Sequence, residues 1–349
     1  MVILRKIKLL LTSGVFLMVT NVVAQDIHFS QFNNAPLSMN PALTGDFDGQ
    51  FRAIINYKQQ WLPYTTYAAS FDFKNLLQNS PRVFLAPGLS IYDDKAGDAQ
   101  LGLMQANLSL ASGIHLDLHN DLALGFEGGF AQRSLSLGSL TWDNQFDGVK
   151  YNSLLPSGEH LTAAALNYLD FGTGLDWRFY KPAYNSTSHD ALSANLGISY
   201  SHFNKPNISF YSSPNETLYP KLVVHGTATF DFKNSNGSLV PAFYYASQGP
   251  STELTIGTGI KTQLKMKSLY TGYVRESSLM FAGYYRIGDS FIFLTQLELK
   301  NIGFGVSYDF NFSDYEMPSP FGMGGLEISL KYIVPTLTHY THRGSKAKL

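Results

Sequence analysis

The sequence contains no cysteine, few charges and, beyond its first two dozen residues, no long apolar run. Each absence removes a class of protein. Without cysteine there are no disulfides, no thiolate nucleophile, no thiolate metal site and no lipid-bearing residue at an anchor. Charged residues make up 15% of the chain, against about 25% in ordinary soluble domains. A net charge of −1 is no footprint for nucleic acid, which calls for a concentrated basic surface. No segment after residue 24 reaches the ~18 consecutive apolar residues that mark a transmembrane helix. What is plentiful is aromatic, at 14% of residues. High aromatic content with low charge and no apolar run fits a membrane-facing surface hidden by alternation, because averaging along the chain cancels its two faces.

Residues 1–24 read as a cleaved secretory signal peptide for export through Sec. Arg5, Lys6 and Lys8 form a positive start, and Leu9 to Val19 is an apolar stretch too short to span a bilayer. Val22, Val23 and Ala24 precede a cleavage site ahead of Gln25. Three cations and no acids leave with it, so the net charge moves from −1 to −4. Residues 25–50 form an irregular leader; its stretch from Asp26 to Gly49, DIHFSQFNNAPLSMNPALTGDFDG, is rich in Asn, Pro and Phe and neither helical nor alternating. Its prolines suit it poorly to extend a sheet. Two readings remain open for it: a strap filling the barrel mouth, or a contact for periplasmic components, starting on the periplasmic side.

From residue 51 the chain alternates. Phe51, Ala53, Ile55, Tyr57 and Trp61 fall on one side of the first segment, and Arg52, Asn56, Lys58 and Gln60 on the other. Leu169, Phe171, Leu175, Trp177 and Phe179 oppose Asp170, Gly172, Gly174, Asp176 and Arg178. Ile302, Phe304, Val306, Tyr308 and Phe310 oppose Gly303, Gly305, Ser307 and Asp309. Period-two alternation marks strands with two unlike faces. Such segments fall near 51–61, 65–74, 83–93, 101–115, 121–134, 168–180, 191–203, 221–233, 238–248, 253–263, 279–286, 290–299, 302–310 and 325–333. Most approach the ~9–11 residues a tilted strand needs to cross a bilayer, longer than the ~5–6 of soluble sandwiches. Lipid cannot satisfy an open sheet edge, so the sheet must close.

The expected fold is therefore all-β, a transmembrane outer-membrane β-barrel of about 14 antiparallel strands over residues 51–333, followed by a tail at 334–349. Long polar loops at 135–167 and 311–324 are expected on the outer side, with tight turns elsewhere. The inward face carries Gly, Ser, Asn, Asp, Lys and Arg, which predicts a polar lumen. A barrel this wide is not filled by side chains alone, so water, inward loops or another polypeptide must occupy it.

Signals for chemistry are weak. Ser157 and His160 are close in SGEH, but no nucleophile elbow accompanies them. GTG at 172–174 and 257–259 lies within alternating strands with no helix to accept a phosphate. Asp143, Asp147 and Glu159, and Asp309, Asp314 and Glu316, match no calcium-loop spacing and read as solvated loop carboxylates. Arg133, Arg178 and Arg286 require carboxylate partners such as Asp176, since an unpaired charge at membrane depth is costly. The reading is non-enzymatic, with no cofactor and no metal.

Three blocks resemble one family. HFSQFNNAPLSMNPALTG followed by NYKQQW, LALGFEGGFAQRSLSLGSLTWDNQFDG with SGEH beyond it, and GVSYDFNFSDYEMPSPFGMGGLEISLKY resemble, in order, blocks of the PorP/SprF family of type IX secretion system membrane proteins. The family's usual Tyr-Arg-Asn-Gln-Trp is Tyr57-Lys58-Gln59-Gln60-Trp61 here. The resemblance singles out His28, Phe29, Ser30, Gln31, Phe32, Asn40, Pro41, Tyr57, Gln60 and Trp61 as signature or partner-contact residues. In the closing strand it singles out Gly325, Ile328, Leu330 and Tyr332. It implies an outer-membrane barrel working with periplasmic and outer-membrane parts of the export machinery. The implied passenger is a large secreted surface protein, an adhesin often tied to gliding, received through its C-terminal region. A passive porin or small-solute channel is the alternative.

Overall fold

The computed structural model describes residues 26–60, 64–77, 82–97, 100–136, 140–158, 164–182, 191–211, 216–265, 277–312 and 324–335. Residues 1–25, where the signal peptide is expected, lie outside the described residues.

Fourteen antiparallel strands close into one barrel, each paired with its neighbours in chain order and β14 returning to β1. They are β1 Phe51–Gln60, β2 Tyr64–Phe73, β3 Val83–Ala96, β4 Leu101–His115, β5 Asn120–Ser134, β6 Ala165–Lys181 and β7 Leu192–Ser201. The chain continues with β8 Lys221–Asp231, β9 Gly237–Gln248, β10 Ser251–Lys265, β11 Ser277–Arg286, β12 Ser290–Leu299, β13 Ile302–Asn311 and β14 Gly325–Val334. The seam is complete: β1 and β14 pair from Phe51 with Val334 to Gln60 with Gly325. No ladder is left open to lipid there, as closure requires.

Facing follows the alternation. Arg52, Asn56 and Lys58 are buried inside, whereas Ile55 is 54% exposed on the outer face. Outward aromatics pair near both ends of the wall. Phe51 lies 5.1 Å from Phe73 at one end, and Tyr57 lies 5.2 Å from Tyr67 at the other. These are the interfacial girdles of a lipid-embedded barrel. On β5 the outward apolar run ends where Gln132 donates to Asn167 on the outer surface, at 3.1 Å; a polar pair there marks the upper edge of the apolar belt.

The two rims differ. The barrel begins at Phe51 and ends at Val334 on one rim, called the near rim here; the connections 135–164, 202–220 and 312–324 all rise from the far rim. The tight turns are divided between both, with 249–250 on the far rim and 300–301 on the near one. Lys300 at φ 55 and Gly288 at φ 78 make two of these reversals, which require the left-handed backbone. Strand termini and shorter connections mark the periplasmic side of such barrels, and longer loops the outer side. The near rim is thus the periplasmic one.

Two expectations are corrected. The lumen is not polar throughout: Val223, Val240, Ala242, Tyr244, Ala282, Tyr284, Ile292 and Leu294 are buried on the inner face of β8–β12, because apolar residues of the leader pack there. Asp309 is not a solvated loop carboxylate; it is 1% exposed and points inward from β13.

Candidate functional site

The leader occupies the lumen from rim to rim. It contains no regular element longer than the helical turn Pro36–Met39, flanked by 3-10 turns at Phe32–Asn34 and Pro41–Leu43. Proline at the first position of a turn needs no N–H partner there. An irregular chain must place its remaining donors and acceptors elsewhere, and here the barrel's inner wall supplies partners.

Its first described residue, Asp26, sits at the far rim. There its carboxylate is 2.5 Å from Nε2 of His202, and its N–H donates to Gln248 at 3.0 Å. The opposite ring nitrogen of His202 faces Asp170 at 2.7 Å. Both Asp26 and His202 lie beyond the strand ends. Burial opposes charge on His202, but the two carboxylates push its pKa up to about 10. Burial likewise opposes charge on Asp26, yet His202 and Lys221 hold its carboxyl well below the usual range. The pair is ionised at neutral pH. The leader therefore starts at the rim opposite the strand termini, not on the periplasmic side as expected.

The signature residues come next. Glu327 of β14 accepts the N–H groups of Ser30 at 2.7 Å and Gln31 at 3.1 Å. Gln31 donates to the Glu327 carbonyl at 2.9 Å, and Ser329 donates to Gln31 Oε1 at 2.8 Å. Ser30 Oγ donates to Asp309 at 2.6 Å and accepts from Arg286 at 3.0 Å. Arg286 also binds Glu253, Asp289 and Asp309, so its buried charge is fully answered. Lys58 Nζ donates to the His28 carbonyl at 2.8 Å. HFSQ, YK, YD and LEISL, scattered over the chain, converge on one network beside the β1–β14 seam.

Below it Phe32 stacks on Tyr244 at 5.6 Å and meets Tyr284 edge-on at 5.4 Å. Phe29 is buried as well. Asn40, wholly buried, donates to the Leu175 carbonyl at 3.0 Å, lies 3.0 Å from His225 Nε2, and accepts from Ala42 N–H at 2.9 Å. Ser199 donates to the Met39 carbonyl at 2.7 Å, and Arg178 to the Ala42 carbonyl at 2.6 Å. Arg178 also pairs with Asp176, as expected, at 2.8 Å. Toward the near rim, Gly45 N–H donates to Asp72 at 2.8 Å, and Arg52 clasps the same carboxylate at 2.6 and 2.9 Å.

The inward glycines form the leader's bed. A Cβ on Gly125 would lie 2.2 Å from Ala42 N and 2.3 Å from the Pro41 carbonyl carbon; on Gly174 it would lie 2.0 Å from Asn40 Oδ1. Alternation places Gly174 among the small lumen-facing residues, and it does not show what either glycine admits. Their signal was the concentration of glycine on an otherwise polar inward face.

The remaining candidates separate. Pro41 is buried in the leader. Tyr57 faces outward in the far girdle, its hydroxyl donating to Gln59 at 3.2 Å; Gln60 ends β1, and Trp61 lies outside the described residues. In β14, Leu330 and Tyr332 are exposed outward and Ile328 shares their parity, while Gly325 is buried on the lumen face with Glu327 and Ser329. Gly325 therefore does not belong to the lipid-facing row, since parity decides the face. Asp143 and Asp147 are exposed, and Glu159, His160, Asp314 and Glu316 lie outside the described residues. Among the described residues no group of His, Asp or Glu is arranged to hold a metal.

A family model described as type IX secretion system membrane protein PorP/SprF matches residues 21–332. No curated protein matches. Among solved structures, a Pseudomonas aeruginosa FadL homologue aligns with TM-score 0.43 and 8% identity, covering 84% of this chain and 92% of that one. The TodX monoaromatic hydrocarbon channel deltaS2 mutant aligns with TM-score 0.42 and 10% identity, covering 86% and 93%. BamA from Haemophilus ducreyi lacking POTRA domains 1–3 aligns with TM-score 0.40 and 10% identity, covering 82% and 70%.

Proposed function

Because the chain belongs to the PorP/SprF family of type IX secretion system membrane proteins, we propose that this outer-membrane barrel serves that system by binding, as an adaptor for export or surface retention of one large surface protein. The passenger is an adhesin-type protein, in a gliding cell where the system serves gliding. Its C-terminal region would engage the far-rim loops, while the near rim meets periplasmic components of the machine. The observation that carries this reading is the filled lumen. A porin needs a continuous aqueous path, and here the leader holds the axis through hydrogen bonds at both rims and the middle. Family and fold are those of a secretion or transport barrel, and hydrogen bonds through Glu327, Ser30, Asn40 and Asp72 hold the leader within the lumen, which favours a non-enzymatic role.

The test is deletion of the gene, with quantitative mass spectrometry of the intact-cell surface and culture fluid. Loss of one or a few large proteins from the surface, with their retention inside, is expected. Broad loss of secreted cargo would make the barrel a core part of the machine. An unchanged surface proteome would refute the export reading.

A further inference from the structure

The near rim carries a positive collar on a protein whose overall charge is not positive. Among the described residues, Lys74, Arg82, Lys181, Lys233, Lys265 and Lys300 are all exposed there, against the exposed acids Asp48 and Asp117. At the far rim the exposed charges of the described residues balance, with Lys95, Lys150 and Lys205 against Asp143, Asp147 and Glu216. None of the six collar cations makes an ion pair among the described residues. Their positions go around the barrel: the β2–β3 connection, the end of β6, the β8–β9 turn, the end of β10 and the β12–β13 turn. A single protein partner would touch one arc of such a ring. Lipid touches all of it.

Depth agrees with lipid. Lys181 follows Trp177 and Phe179 on the outward side of β6, and Trp177, 38% exposed, sits in the near-rim girdle with its ring 6.2 Å from Phe179. Lys74 directly follows the outward Phe73, and Lys233 the outward Phe232. A long cationic side chain beside an interfacial aromatic keeps its stem in the apolar zone and its head among phosphates. We propose that the collar binds the phosphates of anionic phospholipid headgroups in the leaflet at the near rim, giving this barrel an annulus enriched in acidic lipid on that side alone.

Trp177 is the reporter, because among the described residues the other tryptophan, Trp142, is in the β5–β6 connection at the far rim. The full chain with W61F and W142F is folded into phosphatidylcholine bilayers containing either brominated phosphatidylglycerol or brominated phosphatidylcholine. Trp177 fluorescence quenching then gives the relative occupancy of neighbouring lipid sites. A preference of about fivefold for phosphatidylglycerol is expected at low salt, the factor equivalent to ~1 kcal/mol per basic residue at an anionic surface. It should fall to about one in 0.5 M NaCl, where the Debye length is below ~10 Å, and likewise with K181Q and K300Q together. A chain keeping only Trp142 should show no preference. Equal quenching of Trp177 by the two lipids overturns the proposal and leaves an acidic protein as the collar's partner. A preference that survives both salt and the glutamine substitutions overturns it too.

Discussion

Gly125→Ala separates the plug from the wall. Gly125 is in the middle of β5 without left-handed backbone, so alanine suits the strand itself, and glycine inside a strand weakens it. The added Cβ, however, would stand 2.2 Å from Ala42 N and 2.6 Å from its Cα. Both are backbone atoms in a buried turn, so the leader must move by more than an ångström. That displacement breaks three bonds: the Asn40 donation to Leu175, the Ser199 donation to Met39 and the Arg178 donation to Ala42. At ~1 kcal/mol each, with ~1–3 kcal/mol for overpacking, the seated leader loses about 4–6 kcal/mol. The ratio of displaced to seated leader then rises by about 10³–10⁴. Single-channel recording in planar bilayers reads this directly. The wild-type barrel should pass no steady current, and the variant should show lasting conductance together with protease cleavage within 26–45. Gly259→Ala is the control: the nearest neighbours of its Cβ are wall side chains, Ala282 and Met280, at 3.1 Å and beyond, and it should stay closed. A folded, heat-modifiable Gly125→Ala barrel as closed as wild type would refute the reasoning.

Facing and depth on the closing strand predict a gradient: Leu330→Arg, at mid-strand on the lipid face, should cost about 2–4 kcal/mol and sharply lower the yield of heat-modifiable barrel, whereas Tyr332→Arg near the rim should cost about 0–1 kcal/mol. Equal yields from the two would overturn the depth assignment. The far-rim latch predicts a pH window. His202 has its pKa raised, so its contribution is complete below its ordinary value and is lost as pH rises through about 10; Asp26 has its pKa depressed, so its contribution holds above the usual carboxylate range and is lost only in strong acid. Hydrogen exchange at the start of the leader should therefore stay slow at neutral pH and accelerate above about pH 10, and His202→Gln should exchange quickly throughout without that step.

Much of the wall was legible from the chain. A strand's two faces are set by neighbours one residue apart, so Phe51 against Arg52, or Phe304 against Gly305, declares which side meets lipid before any partner is known. Polar reversals such as Lys300-Asn301 and Gly288-Asp289 limit strand length just as locally. Together with the need to close every edge in lipid, these local facts pointed to about fourteen antiparallel strands, while the family resemblance rested separately on three sequence blocks. The path of the leader was not legible. It has no period of its own, and its partners are remote: Ser30 N–H meets Glu327, 297 residues away, and Ser199 meets the Met39 carbonyl, 160 away. Nothing in the order of residues says that Gly125 and Gly174 line a bed, or that β8–β12 turn an apolar face inward to receive Phe32. Those facts exist only once the sheet has closed, because closure alone brings β1 and β14 to one seam and gives an irregular segment an interior wall that supplies partners for its polar groups.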